Sequence, residues 1–262
     1  MKQRVLITGT TSGIGRGLMS YYYRQGWEII AFNRRLDKQL ESAFPAVHFI
    51  QIDVRDRDQI RDYFKQANER DELPELYYLN AGINKTDNFK YFSIEAFQEV
   101  MDINLTGTLN FIDAALPYLS NKKATFVATS STSNIFPNPN NLGYYISKLS
   151  ETKIFKMLES CYGKHGLRFK ILILGPIATN ISAGGSIASK FQAKVRDLIT
   201  VSTDTAVPKI VHFVHSKKKV FYYPFFSVLL FRLAALAQKI VPNFYQGSAP
   251  STSAEEPVLK SR

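Results

Sequence analysis

Cysteine is almost absent. Cys161 is the single thiol in 262 residues, which excludes an internal disulfide framework and any metal site built on several thiolates. One thiol suits a reducing compartment. Glycine and proline are sparse as well, at 14 and 11 residues, too few for a collagen-like or low-complexity chain. Long apolar runs are missing. After Met1 to Arg4 only Val5, Leu6 and Ile7 precede Thr8 and Gly9. A secretory signal needs about 7–15 apolar residues, so this run reads as a strand. The best membrane-span candidate, 225–241, lies between Pro224 and Pro242 and carries Arg232 near its middle. A span needs roughly 20 apolar residues without such a charge, so this segment does not read as one. The four histidines show no ligand spacing with each other or with acids, so no metal site is expected.

What is present is ordinary globular composition: 45% hydrophobic and 21% charged residues. That excludes a disordered chain, whose apolar content could not offset the entropy of ordering. The length suits one large α/β domain. The net charge of +11 is uneven. From Thr205 onward stand eight Lys/Arg and two acids, which is six of the eleven surplus charges. A solvated basic face is the bland reading; attraction to an anionic membrane or substrate competes with it. Nucleic acid is not expected, because no nucleic-acid-binding motif accompanies the charge.

Short apolar runs alternate with helical patterns along the chain. Strands are expected at 4–8, 28–32, 47–52, 76–79, 124–128 and 169–174, with a short edge strand at 219–222. Helices are expected at 14–25, 57–67, 95–119, 145–161 and 225–241. This alternation predicts a Rossmann-type, doubly wound parallel sheet of about seven strands with helices on both faces, plus a C-terminal helical extension. Residues 246–262, rich in Ser, Pro, Ala and Glu, read as a loose tail.

Four local signals carry chemistry. The first is Thr8-Gly9-Thr10-Thr11-Ser12-Gly13-Ile14-Gly15, which leaves the first strand and opens the first helix. Glycines there let the backbone approach a pyrophosphate, and the helix N-terminus favours its charge. The second is Asn33-Arg34-Arg35 at the end of the second strand. A site for NAD places an acid there for the ribose 2′-hydroxyl. Two guanidinium groups instead suit a 2′-phosphate, so NADP is favoured over NAD. The third is Tyr144 with Lys148, one helical turn apart on one face. An ammonium beside a phenol favours the phenolate and makes it a usable acid–base group. The fourth is Thr129-Ser130-Ser131 after the fifth strand, where a hydroxyl can hold a carbonyl oxygen. Asn80-Ala81-Gly82 and Gly175-Pro176 fall on the same carboxyl edge of the sheet, where ligands of open α/β sheets bind.

In this order and spacing, residues of about 3–223 resemble the short-chain dehydrogenase/reductase family in its classical branch. Thr8 to Gly15 match its TGxxxGxG turn, and Asn80-Ala81-Gly82 its NAG. Ser131, Tyr144 and Lys148 match its serine and YxxxK, and Gly175-Pro176 with Thr179 its PGxxxT, shifted by one. Leu79 and Leu174 stand where the family usually has Asn and Pro; neither change removes a reacting group. The resemblance implies that Gly9, Thr11, Ser12, Gly13, Ile14, Gly15, Asn33, Arg34, Arg35, Asn80, Ala81, Gly82, Gly175 and Ile177 line the NADP(H) site. It implies that Asp53-Val54 contact the adenine and that Thr179 holds the nicotinamide carboxamide. It assigns Tyr144 as general acid/base, Ser131 to the substrate oxygen, Lys148 to the tyrosine and the ribose, and Asn104 to a water that links Lys148 to solvent.

On this basis 1–223 is the NADP-binding catalytic domain and 224–245 an amphipathic helix. The expected activity is hydride transfer between NADPH and a hydrophobic carbonyl or alcohol. Reduction of a 3-oxoacyl thioester on a carrier protein is the alternative, since basic charge suits an acidic carrier. A non-catalytic NADP-binding sensor or scaffold is the third reading. Ile177 to Ser186 read as a flap hinged at Gly184-Gly185, with Ile177, Ile181, Ile187 and Phe191 as an apolar pocket wall. The family implies a homodimer or homotetramer through the helices at 95–119 and 145–161. The 225–241 helix reads as a pocket roof or dimer contact, or, with the cations from 217 on, as a peripheral membrane contact. A cytoplasmic location follows, with or without that contact. Cys161 is expected buried or half-buried, and Trp27 packed beside the turn into the second strand.

Overall fold

In a computed structural model of the chain, residues 3–85, 93–135, 141–179 and 199–240 are described here. Seven strands form one parallel sheet in the order β3-β2-β1-β4-β5-β6-β7. In chain order the elements are β1 (Arg4–Thr8), α1 (Gly13–Arg24), β2 (Glu28–Asn33), α2 (Lys38–Ala43), β3 (Val47–Gln51), α3 (Arg57–Glu69) and β4 (Leu76–Leu79). Then come α4 (Ile94–Met101), α5 (Gly107–Ala115), β5 (Ala124–Ser131), α6 (Leu142–Tyr162), β6 (Leu167–Leu174), α7 (Thr203–Val214), β7 (Val220–Tyr223) and α8 (Phe225–Ile240). The order of strands reverses between β1 and β4, the switch point at which such sheets open a crevice.

Strand alternation sorts the core into two layers. Val5, Ile7, Ile29 and Ala31 face Leu18, Met19 and Tyr22 of α1 and Ala206, Val207 and Ile210 of α7. Leu6, Ile30 and Phe32 face Ile60 and Phe64 of α3, Phe111 and Ile112 of α5 and Phe155 of α6. Because both faces are covered, the strands are apolar at successive positions, not alternating. On the second face Tyr77, Phe126 and Phe169 stack across β4, β5 and β6, with centroids 4.5 and 5.1 Å apart. Trp27 lies 4.8 Å from the Tyr22 ring in the first layer, beside the turn into β2 as expected.

Several expectations are corrected. The stretch 95–119 is not one helix: a π turn at Asp102–Thr106 separates α4 from α5, and a 3-10 turn follows at Leu116–Tyr118. β5 continues to Ser131, so Thr129 to Ser131 are its last residues, not a following loop. α6 starts at Leu142 and includes Tyr144. Cys161 is exposed, because it falls on the outer side of the last turn of α6. The tail at 246–262 lies outside the described residues.

Candidate active site

The Gly turn is built by hydrogen bonds that hold β1 and β4 together at their ends. The Thr8 hydroxyl accepts from the backbone N–H of Asn80 and of Ala81, both at 2.9 Å. Asn80 Nδ2 donates to the carbonyls of Thr8 at 3.2 Å and Gly9 at 3.3 Å. Gly9 has φ +73°, and a Cβ there would press on the Ala81 backbone. A Cβ on Gly15 would overlap the Gly9 carbonyl oxygen, so the helix can start this close to the strand only with glycine. α1 has Ser12 at its N-cap with no side-chain capping bond, and no acid in its first turn. Its leading N–H groups are therefore left to an outside acceptor, and a pyrophosphate anion fits that cradle. Thr11 and Ser12 are exposed beside it. Across the turn, Thr179 Cγ2 packs against Gly13 and joins the β6 edge to the glycines.

At the end of β2, Asn33 is buried and its side chain bonds to Thr10. Its Oδ1 accepts from Thr10 N at 2.7 Å, and its Nδ2 donates to Thr10 Oγ1 at 2.9 Å. The side chain anchors the Gly turn. Arg34 and Arg35 follow it and are exposed. Asp53 pairs with Arg55 through bonds of 2.7 and 3.0 Å, and that hydrogen bonding holds its carboxyl below the usual carboxylate range. Val54 packs on Gly107, and its carbonyl accepts from Asn110 Nδ2 at 3.0 Å.

The reacting groups expected from the sequence sit on β5 and α6. Ser131 ends β5; its hydroxyl accepts from Ser133 N at 3.1 Å and donates to Ser133 Oγ at 3.1 Å. Tyr144 lies in the first turn of α6 and is half-buried. Lys148 is 4% exposed. Its ammonium donates to the Thr129 carbonyl at 2.7 Å, two residues before Ser131. The Lys148 backbone is pinned to β5 by Ser130, whose hydroxyl donates to its carbonyl at 3.1 Å, and Thr152 of the same helix donates to that carbonyl at 2.8 Å.

Asn104 occupies the π turn and is fully buried. Its Oδ1 accepts from Ile83 N at 2.8 Å, and its Nδ2 donates to Ile83 O at 3.0 Å and to Ser147 Oγ at 3.1 Å. Ser147 in turn donates to the Tyr144 carbonyl at 2.8 Å. Both amide donors of Asn104 are used, so here it ties the Asn80-Ala81-Gly82 loop to α6. Gly82 packs beside Asn104 Oδ1 and the Lys148 ammonium.

One residue of this network carries a charge that was not foreseen. Glu151 is 1% exposed, and its carboxylate receives the Lys148 ammonium at 3.1 Å and the Thr108 hydroxyl at 3.4 Å. Burial raises its pKa, and Lys148 opposes that shift. An acid three residues after a lysine on a helix ordinarily reads as a surface pair. The signal was present in the spacing, but burial was not.

A family model for the short chain dehydrogenases matches residues 3–187. The chain belongs to this family. An uncharacterized oxidoreductase of Listeria monocytogenes is 26% identical over 194 residues, which is 71% of this chain and 78% of that protein. Two solved structures share the fold at 20% identity. A short chain dehydrogenase from Burkholderia cenocepacia in complex with NADP has a TM-score of 0.75, covering 93% of this chain and 99% of that one. A 4-hydroxyisoleucine dehydrogenase complexed with NADH has a TM-score of 0.74, covering 84% and 96%. As a short chain dehydrogenase the protein is an oxidoreductase of CH-OH and C=O groups.

The pocket wall is only partly described. Ile177 is 3% exposed and packs in the first core layer, with its backbone bridged to Val201, so it does not line a pocket through its side chain. Ile181, Ile187, Phe191 and the Gly184-Gly185 hinge lie outside the described residues. Among the described residues no group of three or more His, Cys, Asp or Glu could hold a metal ion, and no helix is long and apolar enough to cross a membrane.

Proposed function

We propose that the protein is an NADP-dependent carbonyl reductase or alcohol dehydrogenase for a hydrophobic substrate, with Tyr144 as its general acid/base. One observation carries this reading: Lys148, one turn after Tyr144, holds its ammonium at the end of β5 two residues before Ser131. Support for the cofactor comes from the uncapped N-terminus of α1 behind the Gly turn, and from exposed Arg34 and Arg35 where an acid would favour NAD. The solved relatives named above hold NADP or NADH. A hydrophobic substrate is supported by Ile181, Ile187 and Phe191 in the segment after β6.

Bound along this edge, the nicotinamide supplies hydride for reduction and accepts it in oxidation. Ser131 Oγ donates to the substrate oxygen and stabilises its charge as it develops. The Tyr144 hydroxyl protonates that oxygen during reduction, and the phenolate takes the proton back in the reverse direction. Lys148 is the group that would hold the nicotinamide ribose beside Tyr144. Arg34 and Arg35 receive the 2′-phosphate. Asn104 and Ser147 hold the first turn of α6 in register with the loop at Gly82.

A substrate screen following NADPH absorbance, run beside NADH, tests this. Turnover of apolar ketones with NADPH preferred is expected; an NADH preference overturns the role of the arginines. Tyr144→Phe should lower kcat by about 10²–10⁴-fold while NADPH binding, read by fluorescence, stays nearly unchanged. Retained turnover would reassign the proton donor. Reduction of an acetoacetyl thioester in preference to free ketones would favour the carrier-protein reading that the +11 charge keeps open.

A further inference from the structure

Nine large hydrophobic residues are strongly exposed among the described residues, and five of them are on α8. Phe225 is 73% exposed, Phe226 60%, Leu229 42%, Leu233 54% and Leu236 56%. Their spacing of three and four residues puts them on one face of the helix. The opposite face is seated: Val228 is 3% exposed, and fully buried Ser227 lies against Gly175 and donates to the Pro224 carbonyl at 2.9 Å. α8 therefore has an inner side fixed to the protein and an outer apolar side left exposed among the described residues.

Along the sequence that carries α8 the charge is of one sign. Between Asp204 and Glu255 the sequence has six Lys/Arg and no acid. Lys217 and Lys218 are exposed in the turn before β7, and exposed Arg232 sits 4.7 Å over the ring of Tyr222 on that strand. A two-fold contact between copies would set this patch against itself, cation facing cation. An anionic surface would meet both features, the apolar face entering the acyl boundary and the cations meeting head groups. The described part of the helix has 16 residues, too few to span a bilayer but suited to lying in its plane.

We propose that the outer face of α8 docks the protein on the surface of an anionic lipid membrane. Docking also orients the molecule. Gly175, which Ser227 covers, donates its N–H to the Tyr223 carbonyl at 2.8 Å and belongs to the same sheet edge as Thr179. The exposed Phe225 and Phe226 thus begin beside the mouth of the candidate site. Given the proposed reductase activity, the carbonyl substrate is then one that partitions into lipid and reaches the site from the membrane side.

Flotation of the full chain with vesicles tests the docking without any use of activity, so its outcome is independent of the reductase reading. The protein should float with phosphatidylglycerol-containing vesicles and stay behind with pure phosphatidylcholine, and high salt should weaken binding. The double variant Leu229→Glu/Leu233→Glu should lower the vesicle-bound fraction at least tenfold while it melts like the parent. Lys217→Glu/Lys218→Glu, on the other arm, should weaken binding without touching the apolar face. Absence of flotation by the parent overturns the proposal. So does sedimentation showing that the leucine variant converts an oligomer to monomer while vesicles bind neither form, since the face would then belong to a second copy.

Discussion

At the scale of single residues, the most demanding group is a carboxylate. Glu151 is buried with Lys148 as its charged partner, and its pKa lies above the ordinary carboxylate value because water is excluded. A folded-state pKa raised above the unfolded one favours folding at low pH, and that contribution is lost as pH rises through the folded value. Glu151→Gln removes the titration. Thermal melts should therefore show the variant gaining on the parent as pH rises above the ordinary carboxylate range; parallel curves would place the carboxylate in ordinary solvent. The position of Ser131 beside the end of β5 and of Tyr144 and Lys148 one turn apart on α6 was legible in the sequence. Glu151 and the Ser147–Asn104 tie were not, because nothing in a linear sequence says which helical positions turn away from water. Asn33, expected at the cofactor, also bonds Thr10 of the Gly turn, a contact that the sequence did not reveal.

At the scale of elements, the Gly turn and α1 act as one unit. The helix starts so close to β1 that Gly15 touches the Gly9 carbonyl. Gly15→Ala must push the helix away, and overpacking of this kind costs about 1–3 kcal/mol. The measurable result is a lower Tm together with weakened dinucleotide binding; an unchanged dissociation constant would detach this turn from the cofactor. Between α4 and α5 the π turn is what aims Asn104 inward, as such inserted residues often do at functional sites. An apolar period over 95–119 reads as one helix, since the extra residue of a π turn shifts the pattern only slightly. α7 was not foreseen either. Pro208 interrupts its apolar pattern and reads as a breaker, yet the helix forms because Ala206, Val207 and Ile210 bury against α1 and the sheet.

At the scale of the whole molecule, the two core layers leave apolar residues outside on α4 and α6, the helices from which self-association is expected. Met157 of α6 is 66% exposed, Tyr162 37%, and Ile94 of α4 46%. The homo-oligomer proposed from the family pattern would cover them. Sedimentation equilibrium should give a dimer or tetramer, and Met157→Lys should shift it toward monomer by at least tenfold in dissociation constant, as for a charge placed in an apolar contact. A monomeric parent at micromolar concentration would refute that assembly. These residues and the outer face of α8 belong to different helices, so the two proposals are tested by different variants.

The strands, their parallel arrangement and the residues of the carboxyl edge were determined by the sequence itself. Period, turn chemistry and short motifs are local properties, and a buried sheet needs apolar residues at nearly every strand position. Burial and partnership were decided only by the tertiary structure. It seated Ile177 in the core, left Cys161 outside, gave Lys148 an anionic neighbour, and turned one face of α8 outward. Each depends on which residues distant in the chain come to lie alongside, and no stretch of sequence holds that by itself.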